Sequence, residues 1–110
     1  MEVLFTWSQP AQFADGEPLG IANLESYEIG IGVSAGDRDF LRVPFPPDQT
    51  VGTVTGVDPG TYTVAIRAKS LGQAGEYVGA WSLWSNETDF TLELPARAPA
   101  APINLTAVRL

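Results

Sequence analysis

The stretch Val54-Thr55-Gly56-Val57-Asp58-Pro59-Gly60-Thr61-Tyr62-Thr63-Val64-Ala65-Ile66-Arg67-Ala68-Lys69 decides the fold class. Asp58-Pro59-Gly60 is a turn signal, because Pro presets one backbone angle and Gly tolerates the other. From Thr61 onward the chain alternates at period two. Tyr62, Val64, Ile66 and Ala68 share one face, while Thr61, Thr63, Ala65, Arg67 and Lys69 share the other. That is the period of a strand with one face in a core and one in solvent. Val54 and Val57, just upstream, are expected to point inward.

The pattern recurs along the chain. Residues 3–8 place Val3, Phe5 and Trp7 on one face before Gln9-Pro10 ends the run. Residues 11–26 read as a long loop, with Asp15-Gly16 and Pro18 as turn signals. Residues 27–33 form the next strand, in which Tyr27, Ile29, Ile31 and Val33 alternate with Glu28, Gly30 and Gly32. Residues 40–43 are a short strand ended by Pro44-Phe45-Pro46-Pro47, a cluster that suits a sheet edge. Residues 50–55 are β-prone. Residues 70–80 are a Gly-containing loop, and residues 88–94 alternate once more. No helical period of similar quality occurs. Short strands separated by regular turns predict an all-β Greek-key sandwich.

Composition narrows the function. The chain has 110 residues, enough for one domain, and a formal net charge of −7. Only six residues are basic, so no basic stripe is available to a phosphate backbone or an anionic membrane. Nucleic-acid binding and membrane insertion are not expected. There is no Cys and no His. Thiol catalysis, His-based proton transfer and the usual zinc sites are therefore excluded. The acidic residues come in spaced pairs, Asp15 with Glu17, Asp37 with Asp39, and Glu87 with Asp89. Such pairs can hold calcium or cleave glycosides, but nothing in the sequence places two pairs together. Solvated loop charges are the expectation, with no enzyme activity and no cofactor.

Three stretches resemble the fibronectin type III family of immunoglobulin-like sandwiches. Residues 3–10, with Trp7, look like the family's second strand. Tyr27-Glu28-Ile29 looks like its third. Residues 54–69 look like its fifth-to-sixth strand crossing, where Val57, the Pro-Gly turn and Tyr62 pin the corner. Tyr62 stands one residue closer to Val57 than in the commonest pattern, so the resemblance alone does not imply the corner's hydrogen bond. In this register residues 1–94 are a module lacking its first strand, and residues 95–102 are a linker of only Pro, Ala and one Arg. Residues 103–110 resemble the first strand of a following repeat. They are expected either to belong to that repeat or to dock beside residues 3–7, within the chain or as a strand-swapped homodimer. The plain alternative is an unpaired tail.

Trp81-Ser82-Leu83-Trp84-Ser85 resembles the WSxWS box of class I cytokine receptors. At period three, Trp81 and Trp84 fall on one face, able to interleave with Arg67 and Lys69. The structural expectation is a ladder stiffening the last strand; the functional one is a ligand-contact patch. Loops on a rigid sandwich also carry recognition. Phe13, Leu19 and Ile21 in the first loop, and Tyr77 in the second, are apolar enough to bind a partner or to fold back over the sandwich. Asn86-Glu87-Thr88 and Asn104-Leu105-Thr106 match the N-glycosylation pattern. No Arg-Gly-Asp tripeptide is present.

The expected role is a non-catalytic structural spacer or interaction module in a larger extracellular or virion protein. Its partners would be neighbouring domains of the same chain, another protein or a cell-surface glycan. Gly60–Gly72 followed by the Trp-Ser segment, without disulfides and with Arg outnumbering Lys, looks most like repeats of phage tail-tip and host-specificity or bacterial surface proteins. An accessory module of a secreted bacterial hydrolase and a cytokine-receptor-like ectodomain module are the rival readings. Met1-Glu2-Val3 lacks a signal-peptide pattern, so an export signal is expected outside this segment.

Overall fold

The computed structural model describes residues 1–72, 78–94 and 96–110. Tyr77 lies outside the described residues. Six strands are present among them: β1 (Val3–Thr6), β2 (Leu24–Gly32), β3 (Leu41–Phe45), β4 (Val51–Val54), β5 (Gly60–Ser70) and β6 (Thr88–Leu92). A single 3₁₀ turn, Ile21–Asn23, precedes β2. The strands form two antiparallel sheets, one of order β1-β4 and one of order β3-β2-β5-β6. The protein is therefore all-β with a sandwich-like arrangement of two sheets.

The core lies between the sheets and follows the alternation in the sequence. Ile29 and Ile31 of β2, Val54 of β4, Val57, and Tyr62 and Val64 of β5 form one buried cluster. Aromatic rings fill the space around it. Trp7 packs edge-on to Tyr27 at 5.5 Å between ring centres and lies 5.3 Å from Phe45, while Phe5 meets Phe90 at 5.5 Å. Such rings are rigid and bury much area each, so a few of them can hold two sheets together.

Tyr62 also ties the turn at Asp58-Pro59-Gly60 to the core. Its hydroxyl donates to the Asp58 carbonyl at 2.7 Å. The shortened spacing to Val57 therefore still permits the corner hydrogen bond. Removing only that hydroxyl, in Tyr62→Phe, is expected to cost about 1 kcal/mol. Urea unfolding checks this: the midpoint falls while the slope stays fixed.

Three expectations need correction. First, β2 runs Leu24–Gly32 rather than 27–33, which shortens the loop before it and leaves Val33, expected inside, 59% exposed beyond the strand's end. Leu24 is buried and pairs with Ser70, but a register shift between Leu24 and Ser26 breaks the alternation that would have shown it. Second, β3 runs through Pro44 to Phe45. It pairs only with β2 and forms the sheet's edge, where Pro44 interrupts no second ladder. Third, β5 is not half solvated. Thr63 and Ala65 of its outer face are buried at 8% and 4% exposure. Residues 34–38 and the Trp-Ser segment lie over them.

Residues 96–110 are exposed throughout and belong to no strand. They draw the molecule out to 95 Å along its long axis, against 25 and 22 Å across.

Candidate functional site: a column of cations and indoles

The outer face of the four-stranded sheet carries the densest chemistry. It starts from the serine of each Trp-Ser pair. Ser82 N donates to the Ala68 carbonyl at 2.7 Å, and Ala68 N donates back to Ser82 Oγ at 3.0 Å. Ser85 repeats this with Ile66, at 2.8 and 3.0 Å. Three residues of the segment thus match two residues of β5. Each serine satisfies a strand N–H through its side chain, so the segment docks on β5 without forming a ladder of its own. The Pro-like period of the box and the period of two in β5 are reconciled by the hydroxyls.

This docking sets both indoles on the outer face. Arg67 lies between them, its guanidinium 4.3 Å from the Trp81 ring centre and 4.6 Å from that of Trp84. Lys69 also approaches Trp81, at 5.7 Å. All four residues expected to form a ladder are brought together. The stack then extends beyond them, since Arg42 of β3 lies 5.4 Å and Arg38 5.9 Å from Trp84. Trp84 therefore meets three guanidinium groups, drawn from β5, β3 and the loop after β2.

Carboxylates neutralise the stacked cations. Glu28 Oε1 accepts from Arg67 at 2.8 and 3.1 Å and from Arg42 at 3.0 Å. Asp39 binds Arg42 at 2.8 Å, and Glu87 binds Arg38 at 2.5 Å. Glu25 lies 3.6 Å from Lys69. Glu87 is thus tied to Arg38 and Asp37 accepts from the Val33 and Asp39 N–H groups, while Asp39 stays largely exposed, as expected of a solvated loop charge, despite its ion pair. Among the described residues no group of three or more His, Cys, Asp or Glu side chains could hold a metal ion.

Arg38 and Arg42 were not singled out by their sequence setting. The signal was in β2, whose outer face reads Glu28, Gly30, Gly32. A Cβ at Gly30 would lie 2.9 Å from the Trp84 ring and 3.0 Å from Arg38. The missing side chains leave the space that Trp84 and Arg38 occupy.

Two carboxyls titrate with the fold. Glu87 is held below the usual carboxylate range, first by the Gly36 N–H and then by Arg38. Asp37 is lowered chiefly by the N–H groups of Asp39 and Val33. Groups lowered on folding stabilise the folded chain above their unfolded pKa, near 4. That contribution is lost as pH falls through the folded values. Stability should therefore drop on acidification below about pH 5. Glu87→Gln should be less stable at neutral pH and show a smaller drop, read as the melting temperature across a pH series. Parallel curves for the two proteins would remove Glu87 from the acid response.

The other candidate residues sit apart. Residues 11–19 fold on themselves, with Phe13 N donating to Glu17 O at 2.8 Å and Leu19 N to Ala11 O at 3.1 Å. Phe13 and Leu19 are half-buried and line a cavity of about 170 Å³ with Leu24 and Trp81. Ile21 is exposed.

Comparison of the chain with protein-family models and with curated proteins gives no match. The class is thus defined by architecture and site alone: an all-β, sandwich-like protein braced on one sheet by a cation and indole column.

Proposed function

We propose that this chain is a fibronectin type III-like Greek-key module that acts as a non-catalytic structural spacer or interaction domain. It would link neighbouring domains of a multi-domain phage tail or bacterial surface protein, extracellular or on the virion. The observation that carries this reading is that Arg67 stacks on both indoles of the column. Arg67 lies within 4.6 Å of both ring centres, and Ser82 and Ser85 lock the Trp-Ser segment to β5. Indoles used this way stiffen a sheet rather than wait for a ligand. The exposed Pro and Ala run of residues 96–102 suits a spacer between domains.

The accessory-module reading predicts saccharide binding through the same indoles. Titrating the ¹⁵N-labelled chain with soluble cello-, xylo- and chito-oligosaccharides separates the two. The spacer reading expects the Trp81 and Trp84 indole signals to stay in place to millimolar ligand. Saturable shifts at both would replace it with the accessory-module reading. The receptor-like reading draws on the column itself, but here the extra guanidiniums come from β3 and a loop rather than from one strand.

A further inference from the structure

β1 is hydrogen-bonded on one side only. Val3, Leu4, Phe5 and Thr6 pair with Val54, Thr53, Gly52 and Val51 of β4. The opposite edge pairs with no strand among the described residues. It borders a cavity of about 380 Å³ whose lining includes Phe5, Trp7, Ile29, Val64 and Ile66. A recess of about 160 Å³ continues it past Trp7 and Ser8 to Pro10 and Tyr27. Phe5 and Trp7, packed on the core, stay only half-buried. Trp7 and Tyr27 line this recess, and among the described residues Trp7 Nε1 and Tyr27 OH are buried without a hydrogen-bond partner. Burial pushes the Tyr27 hydroxyl pKa up. An open strand edge beside half-covered core residues is an acceptor for a further strand.

The same chain carries a donor. Residues 103–110, Ile-Asn-Leu-Thr-Ala-Val-Arg-Leu, are β-prone and pair with no strand among the described residues. Ile103 is 81% and Leu105 97% exposed. We propose that residues 103–110 of a second copy add antiparallel to the free edge of β1 and close the groove. One register fits. Ile103 opposite Trp7, Leu105 opposite Phe5 and Ala107 opposite Val3 put the apolar set on the inward face. A slip of one residue turns all three to solvent.

Chain direction selects a second copy over the chain's own tail. β6 ends at Leu92, across from Gly60. Met1 lies at that same end, bonded to Val57 at 2.9 Å. An antiparallel partner of β1 must enter at the other end, beside Trp7. The chain's own tail would have to travel back along the module and then reverse. Its Pro and Ala linker, about 25 Å long in polyproline II geometry, covers the roughly 13 Å return along β1, but its stiffness opposes the tight reversal that must follow. A neighbouring copy supplies the strand without reversal, and reciprocal exchange closes a two-fold dimer.

The chain has no cysteine, so introduced thiols report pairing cleanly. Leu4 and Thr106 stand opposite each other on the outward face in the proposed register, within disulfide reach. Mixing Leu4→Cys chains with Thr106→Cys chains under mild oxidation should give a disulfide-linked heterodimer. A cross-linked monomer from the double variant at every dilution would show the tail docking on its own chain and overturn the exchange. So would a monomer at all concentrations with no cross-link. Ile103→Asp/Leu105→Asp changes only side chains exposed in the single chain, so folding is spared. Sedimentation equilibrium should show its dimerisation weakened by roughly a hundredfold or more; an unchanged dimer also overturns the proposal.

Discussion

Replacing Arg67 with alanine is expected to lower the unfolding free energy by about 2–3 kcal/mol. Two stacking contacts disappear together, at 4.3 Å to Trp81 and 4.6 Å to Trp84. Partly desolvated contacts of this kind are worth about 1–2 kcal/mol each. Glu28 also loses two of its three hydrogen bonds, keeping only Arg42. Arg67→Lys should recover little of the loss. An ammonium keeps the charge but presents no flat face to lie between two indoles and no fork for Glu28. Urea titration of the three proteins gives the comparison. If Arg67→Lys matches the native chain, the column acts through charge alone and the stacking argument fails.

Gly32→Ala should be at least as damaging, at about 2–4 kcal/mol. The new Cβ would lie 2.1 Å from the Asp37 carbonyl oxygen and 2.5 Å from its carbonyl carbon. Those are backbone atoms, so no rotamer change relieves the contact, and residues 34–38 must lift from the sheet. Lifting them breaks the Val33 N–H bond to Asp37 at 3.1 Å and withdraws Arg38 from Thr63 and Glu87. Gly30→Ala meets side-chain atoms instead, the Trp84 ring edge at 2.9 Å and Arg38 Cβ and Cδ at 3.0 Å, and should cost less. Melting temperatures rank the pair. Equal stability of Gly32→Ala and the native chain would mean that the loop is free to move aside, and that Arg38 is not held as described.

The inner half of this protein was readable because its residues follow the pleat. Ile29, Ile31, Tyr62 and Val64 fall at period two, and all are buried. β2's first residues were hidden by the register shift beside Leu24, since a bulge moves a side chain to the other face. Pro44 concealed the end of β3 because an edge strand tolerates what a central strand does not. The site divides in the same way. Trp81, Trp84, Arg67 and Lys69 could be placed together, since they lie on neighbouring segments and repeat at fixed spacing. Arg38 and Arg42 could not, because a loop and a different strand bring them to Trp84. Only Gly30 and Gly32 marked their place, as missing side chains on an otherwise charged face. The partners of Asp37, Asp39 and Glu87 were likewise set by tertiary contacts that spacing does not reveal.

The central claim is that indoles and guanidiniums of the column stabilise one another as a unit. A double-mutant cycle on Arg67→Ala and Trp81→Ala, read by urea unfolding, tests it most directly. The two side chains stack at 4.3 Å, so the double variant should lose less than the two single losses combined. A coupling of about 1 kcal/mol is predicted. Additive losses, with coupling near zero, would contradict the claim and leave Trp81 as an exposed aromatic without a bracing role.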